Sequence, residues 1–272
     1  MKKLIFLFAM VFAVSFAMAQ HVDVISQVGN SNDGYIQQAG IQSNYAEIIT
    51  VGNENEGFVY QNNNGFGGAG LNAWIAQNGD VNHAFVDQGT TNQTFGHDAT
   101  IDQDGSYNAA DIWQFDGQPS TAYIRQFGDI NNADQLIYSD GQGNSSAYIW
   151  QEGNSNVALQ NLGEGNYVGG SSFAATQVGN ENISTQLIYS DEAFPLGGSL
   201  ETLNNHGTVV SIGDANTAFQ EMNLLAGVNR DNTATITQTG DYNDASQWQK
   251  GMANTSTVVQ DGFDNSATSV QN

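Results

Sequence analysis

The chain alternates apolar and polar residues in short runs such as YAEIITV (45–51), NAWIAQN (72–78) and DATIDQD (98–104), in which Ala and Ile fall on one side of an extended backbone. Each run is followed a few residues later by a second one, as in EGFVYQN (56–62) and HAFVDQG (83–89). A period of two predicts strands with one face turned inward, and their recurrence in pairs predicts an all-β fold. A search for internal repeats therefore comes before any local reading.

Aligned on Q-x-G-x-x-N-x-A-x-x-x-Q, the chain contains ten units that start at residues 27, 50, 77, 103, 126, 151, 177, 211, 238 and 260. The third position is glycine in each: Gly29, Gly52, Gly79, Gly105, Gly128, Gly153, Gly179, Gly213, Gly240 and Gly262. The sixth is asparagine in each: Asn32, Asn55, Asn82, Asn108, Asn131, Asn156, Asn182, Asn216, Asn243 and Asn265. The eighth is always Gly, Ala or Ser, and two residues before each unit stands an apolar residue such as Ile25, Ile48 or Ile124. The odd step from the first position to the Asn switches the inward parity, as a β-arch requires if its two strands are to face each other. Glycine supplies unusual backbone angles in the arc, and Asn tolerates or reinforces them.

A single arch is marginal in water. Stacked in register, ten of them predict a β-solenoid over residues 20–272, with two facing parallel sheets and a rod on the order of 48 Å long. The glutamines at the ends of the units, Gln27, Gln38, Gln61, Gln77, Gln88, Gln103, Gln114, Gln126, Gln151, Gln177, Gln238, Gln249, Gln260 and Gln271, are expected to form amide ladders with the Asn column. A buried amide left unpaired costs about 1–3 kcal/mol, and stacking removes that cost by letting each amide donate to the next rung. In four units Gln135, Gln160, Gln186 and Gln220 stand two residues early, while Ile137, Leu162, Ile188 and Met222 occupy the usual Gln site, so the interior layers are expected to change in the middle rungs.

The span inside a unit is constant, whereas the connections between units vary from 11 to 23 residues, so every insertion is expected on one edge of the rod. Both prolines, Pro119 and Pro195, lie in these connections.

Composition narrows the function. Residues 1–19, with Lys2, Lys3, an apolar run and Ala17-Met18-Ala19, read as a secretory signal peptide too short to span a membrane. The formal net charge of -23 argues against nucleic-acid or anionic-lipid partners. The absence of cysteine excludes disulfides and thiolate metal sites. His21, His83, His97 and His206 are scattered, without metal-ligand or triad spacing, so neither a cofactor nor catalysis is expected.

Calcium binding would need the glycine-rich nonapeptide of β-rolls, which is missing. Ice binding would need a flat outward ladder of threonines. The outward positions instead carry Trp74, Tyr123, Tyr148 and Trp150 on one face and Phe58, Phe85, Trp113 and Trp248 on the other. A pectin-lyase-like enzyme would need longer rungs and a carboxylate cluster. A soluble secreted solenoid acting as an adhesin or as an ice, glycan or calcium binder remains the alternative.

The unit Q-x-G-x-x-N-x-A-x-x-x-Q, as in QDGFDNSATSVQ at 260–271, resembles the curlin repeat of bacterial curli subunits. The resemblance implies a functional amyloid, secreted and displayed as a fibre on the bacterial surface for biofilm matrix and adhesion. It also implies a nucleating subunit, an outer-membrane secretion pore and export chaperones as partners, with this chain as a major subunit or as the nucleating minor one. The terminal units carry no polar cap after Gln271, which predicts end-to-end self-assembly, and Asp23 at an inward position predicts slower addition at the N-terminal end.

Overall fold

The computed structural model describes residues 21–63, 69–94, 96–117, 119–139, 144–164, 168–190, 202–224 and 229–271. The expected signal peptide and the connection around Pro195 lie outside them.

The paired runs form two ten-stranded sheets whose strands all run parallel. The first strands of rungs 1 to 10 are Val22–Val28, Tyr45–Val51, Asn72–Asn78, Asp98–Asp104, Ser120–Phe127, Ser145–Glu152, Ser172–Val178, His206–Ile212, Thr233–Thr239 and Thr255–Asp261. The second strands are Asp33–Gly40, Glu56–Asn63, His83–Thr94, Ala109–Gly117, Asn132–Ser139, Val157–Glu164, Ile183–Ser190, Thr217–Leu224, Asp244–Lys250 and Ser266–Gln271. Each strand pairs with its equivalent in the rungs before and after, so Ile48, Ile75, Ile101, Ile124 and Ile149 follow one another in a single column. The fold is thus the expected solenoid of stacked strand-arc-strand rungs.

Register follows from burial. The isoleucines of that column are fully buried, as are Val59, Val86 and Ile112 opposite them. Each contributes roughly 1.5–3 kcal/mol by leaving water, and a one-residue slip would turn the whole column outward.

Two features were not legible as motifs. In every arc the residue before the Asn, not the Asn itself, takes the left-handed conformation, and it includes residues as unsuited to it as Val81 (φ 58°) and Ile130 (φ 60°). Second, the connections leading into rungs 7, 8 and 9 add a short third sheet, made of Val168–Gly169, Thr202–Leu203 and Asn229–Arg230.

The column that is alanine in most rungs holds Phe173 in rung 7, and its register partner in rung 8 is Gly207. A Cβ on Gly207 would lie 2.4 Å from a ring carbon of Phe173, so the glycine makes room for the ring. Gly207→Ala is expected to lower stability by about 1–3 kcal/mol through overpacking. Adding Phe173→Leu should recover part of that loss, a coupling that a double-mutant cycle of melting midpoints reads directly.

Candidate functional site: the stacked amide ladders

Among the described residues most buried polar side chains are amides, and they form columns along the rod. In the first sheet Gln77, Gln103, Gln126, Gln151 and Gln177 are joined by Nε2–H···Oε1 bonds of 3.0, 2.9, 2.8 and 2.8 Å. In the second sheet Gln38, Gln61, Gln88 and Gln114 are joined at 2.7, 2.8 and 2.7 Å. Each donor points to the following rung. The second amide hydrogen crosses the core to a backbone carbonyl of the opposite sheet, as from Gln126 to Ala109 at 2.9 Å and from Gln61 to Tyr45 at 3.0 Å.

Where the apolar and amide positions exchange, a separate column begins. Ile137 stands beyond Gln114, which turns its amide to the Ser120 carbonyl and hydroxyl at 3.1 Å each. Gln135, Gln160, Gln186, Gln220 and Gln247 then continue two residues inward at 3.0, 2.7, 2.8 and 3.0 Å. In rungs 9 and 10 the original positions resume, with Gln238 bonded to Gln260 at 3.0 Å and Gln249 to Gln271 at 3.1 Å.

One-way donation explains an otherwise odd set of orphans. Gln38, Gln77, Gln135 and Gln249 each have a buried Oε1 without a hydrogen-bond partner. Each heads a column: Thr50, Ile112 and Met222 precede the last three in register, and Gln38 belongs to rung 1. Gln27 faces Thr50 and makes no amide bond to the next rung.

The asparagines form one unbroken column through all ten rungs, from Asn32 to Asn265. Each Oδ1 accepts both the backbone N–H and the side-chain amide of the next Asn, as between Asn108 and Asn131 at 3.0 and 3.1 Å. The same Nδ2 also donates to the arc glycine carbonyl of the rung beyond, as from Asn131 to Gly153 at 2.8 Å. That carbonyl approaches so closely that a Cβ on Gly128 would lie 2.3 Å from the Gly153 oxygen, and Gly128 has a φ of 100°. Crowding and left-handed backbone independently require glycine there.

Two further ladders escaped the repeat pattern because their residues vary. At the outer arc the residue after the glycine accepts the preceding rung's equivalent N–H, as Asp80 does from Asn53 at 2.7 Å and Asp129 from Ser106 at 2.8 Å. At the opposite corner the polarity reverses: Asn44, Asn205 and Asn232 accept the N–H of Leu71, Asn232 and Asn254 in the following rung, and His97 Nδ1 accepts the Ser120 N–H at 3.2 Å. Recurrent short acceptors at these positions were the available signal.

The outer faces are electrostatically uneven. The Arg125 guanidinium lies 4.4 Å from the Phe127 ring centroid and 4.9 Å from that of Trp150, with its Nε 3.1 Å from Asp102. On the other face Asp111 and Asp134 are register neighbours. Burial raises both carboxyls above the usual range; His83 partly offsets this at Asp111, and Asp111 adds to it at Asp134. No group of side chains suited to holding a metal ion occurs among the described residues.

The family model of the curlin associated repeat matches residues 98–128 and 230–268. Both stretches include uninterrupted arches. No curated protein matches the chain.

Removing one amide from the middle of a column leaves a donor and an acceptor unpaired. Gln126→Ala strands the Gln103 amide and the Gln151 carbonyl, and should lower stability by about 1–3 kcal/mol for each group, read from urea unfolding. Asp134 gives a pH test. A carboxyl raised in the folded state binds its proton more tightly when folded, so its destabilising effect is full above the folded pKa and disappears as pH falls through it. Asp134→Asn should therefore raise the melting midpoint at pH 7, and the gain should vanish below the ordinary carboxylate range.

Proposed function

We propose that this chain, which carries curlin associated repeats at residues 98–128 and 230–268, is the structural subunit of an extracellular fibre that grows by stacking rung 10 of one molecule on rung 1 of the next. The observation that carries this reading is the complementarity of the two end faces. Among the described residues, rungs 1 and 10 each have a neighbour on one side only.

At rung 10 the Gln260 and Gln271 amides each donate to a backbone carbonyl and have no further rung ahead. At rung 1 the Gln38 Oε1 has no donor. In the stacked junction Gln260 would donate to Gln27 and Gln271 to Gln38, while Asn265 Oδ1 would accept the backbone and side-chain N–H groups of Asn32. Ile25, 45% exposed at rung 1, would gain the cover that equivalent isoleucines have inside the rod.

Assembly of this kind fits a secreted component of biofilm matrix and surface adhesion, with residues 1–19 directing export and a nucleator, pore and chaperones as partners. The family is one of structural fibres, consistent with a non-enzymatic role. Asp23 enters the junction whichever end grows, since the same two faces meet in both cases. It therefore weakens every junction equally and does not by itself select a growing end, contrary to the expectation drawn from its position alone.

Gly262 offers a clean test. Inside the rod a Cβ on an arc glycine collides with the next rung, but at Gly262 it meets nothing nearer than the Asn265 amide at 3.5 Å. Gly262→Ala should cost the monomer only the backbone strain of its φ of 115°, of order 1–3 kcal/mol, and block the junction sterically. The expected result is at least a tenfold slower elongation, with wild-type fibres giving a meridional reflection near 4.7 Å. Elongation at the wild-type rate by folded Gly262→Ala protein would refute the stacking reading.

A further inference from the structure

The outer face of the first sheet changes character along the rod. In rungs 4 to 6 it carries Asp98, Asp102 and Asp104, then Arg125 among the aromatic rings. From rung 7 onward it departs from the aromatic faces expected from sequence. Strand Thr233–Thr239 presents only threonines outward: Thr233, Thr235, Thr237 and Thr239. Register places Thr208, Thr235 and Thr257 in one column and Thr176, Val210, Thr237 and Val259 in the next. Neither column contains a charge, and Asp261 stands at the rim.

Three properties identify what such a face would take. It leaves apolar surface bare, with Val259 69% and Ile212 45% exposed. Its β-branched side chains are stiff, so burying them costs little rotamer freedom, and they recur about 4.7–4.8 Å apart along the rod, a repeat that lets two like sheets interdigitate about 10 Å apart. Elsewhere the chain is strongly acidic, with 28 Asp and Glu against 5 Lys and Arg, so two copies repel through most other surfaces.

We propose that the outer face of rungs 7 to 10 of the first sheet is a lateral interface that seats the same face of a second copy, related by a two-fold axis. Four strands at this spacing, each about 20 Å wide, cover on the order of 400 Å² per copy, below the roughly 800 Å² of a stable pair. Single molecules therefore associate weakly. Filaments, in which the face recurs once per molecule, associate firmly through multivalency. The filament part rests on the stacking reading above; the pairing itself does not.

The chain has no cysteine, so an introduced one reports cleanly. Thr235→Cys, near the centre of the face, should give several-fold more oxidative dimer than Ala76→Cys, which occupies the outward position two residues further along its strand in rung 3, both in concentrated soluble protein and in filaments. Filaments of Thr237→Asp should stay single while elongating at the wild-type rate. Equal cross-linking at the two positions would overturn the proposal, as would Thr237→Asp filaments bundled like wild type. If no filaments form, the stacking reading fails alone and the cross-linking of soluble protein still decides the lateral one. Shaping of ice crystals without preferential cross-linking would assign the face to ordered water instead and overturn pairing.

Discussion

The structure depends on one constraint: every rung must lie in register with the next. Parallel pairing satisfies the backbone, but only exact superposition of equivalent residues satisfies the buried amides as well. A glutamine in the core of an ordinary domain needs a dedicated partner. Here the partner is the same residue one rung away, and the cost of burying it is removed by repetition. The Asn column ties this to the arcs, because each Asn holds the backbone N–H of its successor and reaches the glycine carbonyl beyond, as Asn131 does with Asn156 and Gly153. Strand register and arc geometry are thereby fixed by the same side chain.

Much of this was legible in the sequence because it repeats. Gly and Asn recur at fixed offsets, and alternation marks both strands of a rung, so the arches, their inward faces and the exchange at Gln135 and Ile137 follow from the sequence alone. What could not be read depends on direction or on pairs across connections of variable length. Nothing in the composition of a glutamine says which way its amide points, and so the orphan oxygens of Gln77, Gln135 and Gln249 follow only once the columns are seen to donate forward. Likewise Val81 and Ile130 carry no sign of the left-handed backbone they adopt, since the neighbouring rungs impose it. The outer threonines carry no repeat signal, because the same outward position holds Trp74, Tyr123 and Tyr148 in earlier rungs and Thr208, Thr235 and Thr257 in later ones.

The acidic surface and the amide core act at different ranges. Carboxylates at 4.7–4.8 Å intervals along a rod repel their neighbours, and at Asp134 the charge of Asp111 adds to the rise that burial causes. The core bonds are short, dry and indifferent to salt, whereas the repulsion is screened over about 8 Å at physiological ionic strength. Stacking and lateral contact therefore respond differently to the medium. Salt leaves the bonds within a rod unchanged and lowers the barrier between rods.

The connections between rungs vary widely in length while the arches do not, and they all emerge on one edge. A rod built this way behaves as a ruler whose graduations are set by its interior. Sequence added at that edge, for instance between rungs 7 and 8, leaves the rise per rung untouched. In a stacked assembly an insertion there would recur once per molecule, on the order of every 48 Å, along a single line. The fold thus separates what must be identical from what is free to differ, and offers a periodic display in which a foreign loop acquires a fixed spacing.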